Sequence, residues 1–277
     1  MYEEFYNFSA KPFQLTPDKK FFFNSKVHSR AMAYLRYGLE QGEGFVVITG
    51  AVGSGKTMLL RNLFQELDEQ KVMAAQLVTT RVEPDDMLRT VCASFGLAHE
   101  GLNNASLLHN LEAIAIARYA EGKRVLLVVD EAHNLPARSV GELRMLSNFQ
   151  VDGRSVFQSI LLGRDELKRT LQRPGVEQVR QRIIVSYHLG PLGMEETRRY
   201  IEFRLSQVGW KGDPAFEADT YQGIYRFSRG IPRLINTLCD RLLLYGSLEY
   251  LHTLNPVALQ LVVREMEMEQ GALVNRP

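Results

Sequence analysis

The stretch Phe45-Val-Val-Ile-Thr-Gly50-Ala-Val-Gly-Ser-Gly-Lys56-Thr57-Met-Leu-Leu60 decides the fold. Its first five residues form an apolar run, bounded before by Gly42-Glu43-Gly44, and read as a buried strand. Its last three residues open an apolar-periodic helix. Between them Gly50, Ala51, Val52, Gly53, Ser54, Gly55, Lys56 and Thr57 carry the spacing GxxxxGKT in the strand, loop, helix context that a phosphate-binding loop needs. The glycines let backbone N–H groups close around phosphates, and the helix N-terminus that follows at Met58 favours anions. Lys56 suits the β- and γ-phosphates, and the Thr57 hydroxyl suits Mg²⁺. ATP and Mg²⁺ are therefore the expected cofactors, with residues 50–58 as their binding segment.

Outward from this stretch, further short apolar runs lie at Met73–Val78, Val125–Val129, Ser159–Leu162 and Ile183–Ser186, and helical patterns fall between them. Strands apolar on both faces and alternating with helices predict an α/β fold with a parallel sheet covered on both sides. The run Val125–Val129 ends in Asp130-Glu131. Strand tips are where ligands bind in open α/β sheets, so Asp130 suits the Mg²⁺ shell and Glu131 suits the polarising of an attacking water. Phosphoryl transfer also needs positive charge on the leaving γ-phosphate; Arg180 and Arg182, before the last strand, and Arg233, at a helix start, are the candidates.

After Leu189-Gly190-Pro191 the alternation stops and the pattern is helical, which predicts a second domain of roughly 80 residues. The first 25 residues are rich in aromatics, broken by Lys11-Pro12 and Thr16-Pro17-Asp18, and read as an extended strap on the molecule's own body or a docking surface. The expected division is an arm and helix at 1–40, an ATPase core at 41–190 and a helical domain at 191–277.

The chain has 277 residues, 45% hydrophobic and 23% charged, with a formal net charge of +1. That composition excludes disordered, collagenous and disulfide-framework classes, and no overall basic field advertises nucleic acid. Cys92 and Cys239 have no metal-type spacing and read as buried thiols of a reducing compartment; the six histidines form no zinc pattern. No apolar run is long enough to span a bilayer, and the start Met1-Tyr-Glu-Glu is not a secretory signal, so a cytoplasmic protein is expected.

The loop at Gly50–Thr57, the Asp130-Glu131 strand end, Arg180-Gln-Arg182 and Gly230-Ile-Pro-Arg233 together resemble an AAA+ ATPase. Met1-Tyr-Glu-Glu-Phe5, Lys11-Pro-Phe, Tyr34-Leu-Arg-Tyr-Gly38 and Asn236-Thr-Leu-Cys-Asp240 are similar to secretion ATPases of the general secretion pathway A (ExeA) type. Arg144-Met-Leu-Ser-Asn-Phe149 and Tyr187-His-Leu are similar to the branch associated with exosortase and exopolysaccharide gene clusters (PEP-CTERM, XrtA). The resemblance implies a P-loop NTPase core of five parallel strands flanked by helices, with a small all-helical lid. It implies ATP hydrolysis between core and lid, with Arg180 or Arg182 as a finger reaching a neighbouring subunit's ATP, Arg233 as the lid's sensor and Phe13 against the adenine.

It also implies an ATP-dependent homo-oligomer such as a hexamer, cytoplasmic and able to reach the inner membrane through partners, which would be envelope secretion or polysaccharide-export proteins. Relatives show Gly-Gln-Pro-Glu where this chain has Gly163-Arg164-Asp165-Glu166, which leaves Arg164, Ser159 or Gln158 as the first sensor. They show Gln where this chain has His133, which either senses phosphate or caps a helix. Two other readings are a DNA-binding regulator of the transposition-helper type, against which near-neutral charge weighs, and a nucleotide-gated adaptor with little turnover.

Overall fold

Parallel strands cannot be joined by tight turns, so each must be followed by a crossover that carries the chain back to the sheet's starting end. The computed structural model, which describes residues 1–16, 18–78 and 83–274, shows this arrangement. The turn expected at Pro17 and the last three residues of the chain lie outside the described residues. The chain divides into two compact units, one of residues 28–51 and 59–189, the other of residues 1–27, 52–58 and 190–277.

The first unit holds β1 (Phe45–Gly50), β2 (Val72–Val78), β3 (Arg124–Asp130), β4 (Phe157–Gly163) and β5 (Ile183–Leu189). They form one sheet in the order β2-β3-β4-β1-β5, and every neighbouring pair is parallel. All of β1 and β4 is buried, and so is β3 after Arg124. Such strands need cover on both faces. On one face Phe45 and Val47 join a core with Leu107, Leu111 and Ala115 of a helix at Asn104–Ala120. On the other, helix α1 (Lys26–Gln41) comes in close at Gly38, where a Cβ would stand 2.4 Å from Val46 Cγ2. Each fully buried Leu, Ile or Phe contributes roughly 1.5–3 kcal/mol of transfer free energy, so the pattern legible in the apolar runs is also the main source of cohesion.

The strands extend beyond those runs where polar residues are buried. β4 starts at Phe157, two residues before the expected Ser159, because Gln158, 4% exposed, gives its amide N–H to the carbonyls of Gly38 (2.6 Å) and Glu43 (2.9 Å).

The second unit contains α2 (Met194–Ser206), α3 (Ala218–Ser228), α4 (Pro232–Leu248) and α5 (Pro256–Val274). Pro232 opens α4 at its first turn, and Asn255 caps α5 by accepting the Ala258 N–H at 2.9 Å. The unit, expected to be all-helical, also holds a parallel ladder of two residues a side, Ala215–Phe216 with Thr253–Leu254. Strands that short leave no alternating pattern to read.

The amino-terminal arm is a strap within this unit. Tyr2, Tyr6, Phe8, Phe13 and Phe21 are buried in its core with Leu205, Leu238 and Leu242. The Tyr2 hydroxyl donates to Asp240 at 2.5 Å, and burial beside that carboxylate pushes its pKa up. Tyr6 donates to the Leu251 carbonyl at 2.9 Å. The arm ends at Val27, and residues 28–41 of α1 belong to the sheet-bearing unit, so the expected 1–40 segment is split between the two. Gly230 has φ +74, and a Cβ there would lie 1.9 Å from the Leu192 carbonyl oxygen, so the turn into α4 accepts only glycine. Both thiols are buried; burial pushes Cys92 up to about 11 and raises Cys239 further, which keeps them protonated.

One charge is sealed inside this core. Arg204, 5% exposed, donates to the carbonyls of Pro12 (2.6 Å) and Gln14 (3.1 Å) and to the Tyr200 hydroxyl (2.9 Å). Its guanidinium lies 4.6 Å from the centre of the Phe21 ring. Arg204→Met should leave two arm carbonyls without their donor and cost about 3 kcal/mol. The readouts are a lowered urea midpoint and faster tryptic cleavage after Lys19 and Lys20; an unchanged midpoint would show that the arm is held by its aromatic rings alone.

Candidate active site

The sheet's carboxyl edge gathers the candidate residues of the first unit. β1 delivers Gly50 and Ala51 there, and β3 delivers Asp130 and Glu131. One strand, β4, lies between them, so the two tips are about 10 Å apart, two strand spacings. Asp130 is 4% exposed and accepts the Glu131 N–H on Oδ1 at 2.8 Å. Glu131 has φ 54 and ψ 31, a left-handed conformation that costs a non-glycine residue about 1 kcal/mol. Its carboxylate lies 3.4 Å from Nε2 of His133, a residue of the 3-10 turn Ala132–Asn134. His133 is thus the neighbour of Glu131, a pairing that nothing in the linear pattern announces.

The second unit holds the rest of the loop. Residues 52–58 pack with it, and the backbone N–H of Arg233, in the first turn of α4, donates to the Gly53 carbonyl at 3.2 Å. Gly53 has φ +77, and a Cβ there would stand 2.4 Å from Arg233 Cβ. The loop's glycine and the expected sensor arginine are therefore fitted to each other. Ser54 and Lys56 are 2% and 6% exposed, whereas Thr57 is exposed at the start of helix Lys56–Glu66. The loop thus brings Lys56, Thr57 and Arg233 into one unit.

Other candidates are placed elsewhere. Ser159 is in register with Phe45, and Gly163 with Thr49, so Ser159 and Gln158 lie at the sheet's amino edge and cannot serve as first sensor. Of the three sensor candidates only Arg164 follows a carboxyl tip, where it precedes the helix Asp165–Leu171. Phe13, expected at the adenine, is a core residue 1% exposed, with no ring face left for a base. Arg180 and Arg182 also lie at the amino edge: the Arg182 carbonyl accepts the Phe45 N–H at 2.9 Å, roughly 17 Å along β1 from Gly50. That is beyond the reach of an arginine from Gly50 of its own strand. The two differ in their bonding. Arg182 Nη1 donates to Ser147 Oγ at 2.5 Å, whereas among the described residues the Arg180 guanidinium makes no hydrogen bond or ion pair.

Comparison with known proteins agrees with this geometry. Residues 39–171 match the family described as AAA domain. General secretion pathway protein A of Aeromonas hydrophila is 39% identical over 245 residues, covering 88% of this chain and 44% of that protein. The chain thus spans less than half the length of that relative. Among solved structures, the ORC2 protein of Aeropyrum pernix superposes with a TM-score of 0.66 at 18% identity, over 93% of this chain and 72% of its own. Cdc6p of Pyrobaculum aerophilum gives 0.68 at 15% identity, over 92% and 70%. The RuvB branch migration motor of Thermotoga maritima gives 0.54 at 19%, over 91% and 72%. At those identities the likeness is one of fold. Strand order, loop context and domain match converge on one result: the chain has the fold of the AAA-type P-loop NTPases, and its residues 39–171 match the AAA domain family.

Proposed function

We propose that the protein is an Mg²⁺-dependent ATPase whose cycle drives or regulates the export or assembly of cell-surface protein or exopolysaccharide. The observation that carries the hydrolytic half is the Asp130-Glu131 pair on the same sheet edge as Gly50, with Glu131 held in a left-handed turn. The similarity to general secretion pathway protein A supports the secretory half. The motifs around Arg144 and Tyr187 point, within that family, to the exopolysaccharide-linked branch.

The donor set fits Mg–ATP. Among the described residues no group of three carboxylates, histidines or cysteines is placed to hold a metal. That suits Mg²⁺, which takes one or two protein oxygens and fills its shell with phosphate and water. Asp130 and the Thr57 hydroxyl would hold it, and its chemistry is to draw charge from the phosphate oxygens. The loop amides and Lys56 bind and orient the triphosphate. Glu131 orients the attacking water and takes its proton at a carboxylate oxygen, with His133 beside it. Arg233, braced on Gly53, supplies positive charge to the phosphates.

Arg180 is the arginine offered to a second copy's ATP, and Arg182 is the brace that holds the strand start through Ser147. A homo-oligomer, a hexamer included, is the working form under this reading. Among the described residues no helix is long and apolar enough to cross a membrane. Under this reading, envelope partners supply contact with the inner membrane.

Glu131→Gln should keep ATP binding and lose roughly 100-fold or more in turnover, read by filter binding against phosphate release. Undiminished hydrolysis would remove Glu131 from its role. Arg180→Ala should abolish turnover with little change in melting temperature, and mixing it with Lys56→Ala protein should restore part of the activity, because each supplies what the other lacks. Arg182→Ala should instead lower the melting temperature. Full activity of Arg180→Ala would exclude it as the finger.

A further inference from the structure

Thr49 is the last side chain of β1 before the loop opens at Gly50, and it is 0% exposed. Register places it between Gly163 of β4 and His188 of β5. Its Oγ1 lies 3.2 Å from Nδ1 of His188. The same ring nitrogen lies 3.1 Å from Lys168 Nζ and 3.4 Å from Asp165 Oδ1, both on the helix Asp165–Leu171. Lys168 and Asp165 pair with each other at 3.0 Å. The ATPase reading uses none of these four side chains. We propose that His188 is a positioning residue for the phosphate-binding loop: its ring pins Thr49 at the end of β1, and loss of that hold weakens nucleotide binding. The nucleotide half of the proposal rests on reading this chain as an ATP binder.

The argument is one of donors and acceptors. An ammonium has only donors, and a neutral imidazole nitrogen without hydrogen has one lone pair. Lys168 is already paired with Asp165, and that carboxylate also faces Nδ1, so the one ring nitrogen meets both donors and an acceptor. The Thr49 hydroxyl both donates and accepts, so it can bond Nδ1 in either tautomer. Thr49 is β-branched and enclosed, so fixing its hydroxyl fixes its rotamer and the strand end with it.

The charged groups facing the ring are Asp165 and Lys168; β1 contributes only the Thr49 hydroxyl. The neighbouring Tyr187 stacks instead on Tyr34 of α1, ring centres 5.2 Å apart, with Arg30 of α1 near its hydroxyl. The His188 side chain is 44% exposed.

The test measures the Mg–ATP dissociation constant of the full chain at pH 8 for wild type, Thr49→Val, Thr49→Ser, His188→Ala and the Thr49→Val/His188→Ala double variant. Each of Thr49→Val and His188→Ala should weaken binding about five-fold, the worth of one hydrogen bond. The double variant should be no worse than either single change, and Thr49→Ser should bind as wild type does.

Additive losses would overturn the proposal. Nitrogen-15 NMR of the His188 ring gives a readout without nucleotide: an Nδ1 resonance that moves in Thr49→Val and stays in Thr49→Ser. An Nδ1 resonance unmoved in Thr49→Val would overturn the positioning role even if ATP binds. Absence of ATP binding by wild type would instead sink the ATPase reading and the nucleotide half of the proposal, leaving the Thr49–His188 contact to be decided by the NMR result.

Discussion

Parallel hydrogen bonding across the sheet constrains everything else in this protein. Because β2, β3, β4, β1 and β5 all run the same way, their five carboxyl ends emerge on one edge and their five amino ends on the other. Residues that follow strands are sorted from residues that precede them. Gly50, Asp130, Glu131 and Arg164 fall on one side, Arg180 and Arg182 on the other. Under the proposed function that sorting divides labour, since groups on the carboxyl edge can serve the chain's own nucleotide and those on the amino edge can serve only another's. No side-chain interaction needs to enforce it; the crossover rule does.

The carboxyl edge is also where the backbone departs from comfort. Glu131 holds a left-handed conformation, and the carboxylate of Asp130 accepts its N–H. Mild strain of this sort persists only where neighbours fix it, and here the neighbour is the adjacent acid of the same motif. Gly53 shows a similar fit in the other unit, where the Arg233 backbone bonds to the loop and leaves no room for a Cβ.

The sheet and the phosphate-binding loop were legible because their signals are local. An apolar run such as Val125–Val129 reports burial on both faces, and GxxxxGKT reports a backbone shape. What escaped depends on distant partners. Gln158 reads as a sensor candidate until the carbonyls of Gly38 and Glu43 are seen to satisfy it. Arg204 looks like a surface charge on an amphipathic helix, yet its acceptors lie 190 and 192 residues away. Phe13 has the composition of a base-stacking residue and the position of a core one. The two-residue ladder at Ala215–Phe216 is too short for any periodicity. For the arginines, the sequence supplied the pair, and only the bond from Arg182 to Ser147 separates one from the other.

The strap contributed by residues 1–27 has a consequence for how the protein is made. Pro12 leaves the ribosome long before Arg204, which lies 192 residues further along the chain. At cellular synthesis rates that interval is roughly 10–40 s. Throughout it, an arm carrying Tyr2, Phe5, Tyr6, Phe8, Phe13, Phe21, Phe22 and Phe23 has no core to enter. The arm is thus a segment that waits for its partners before it can fold.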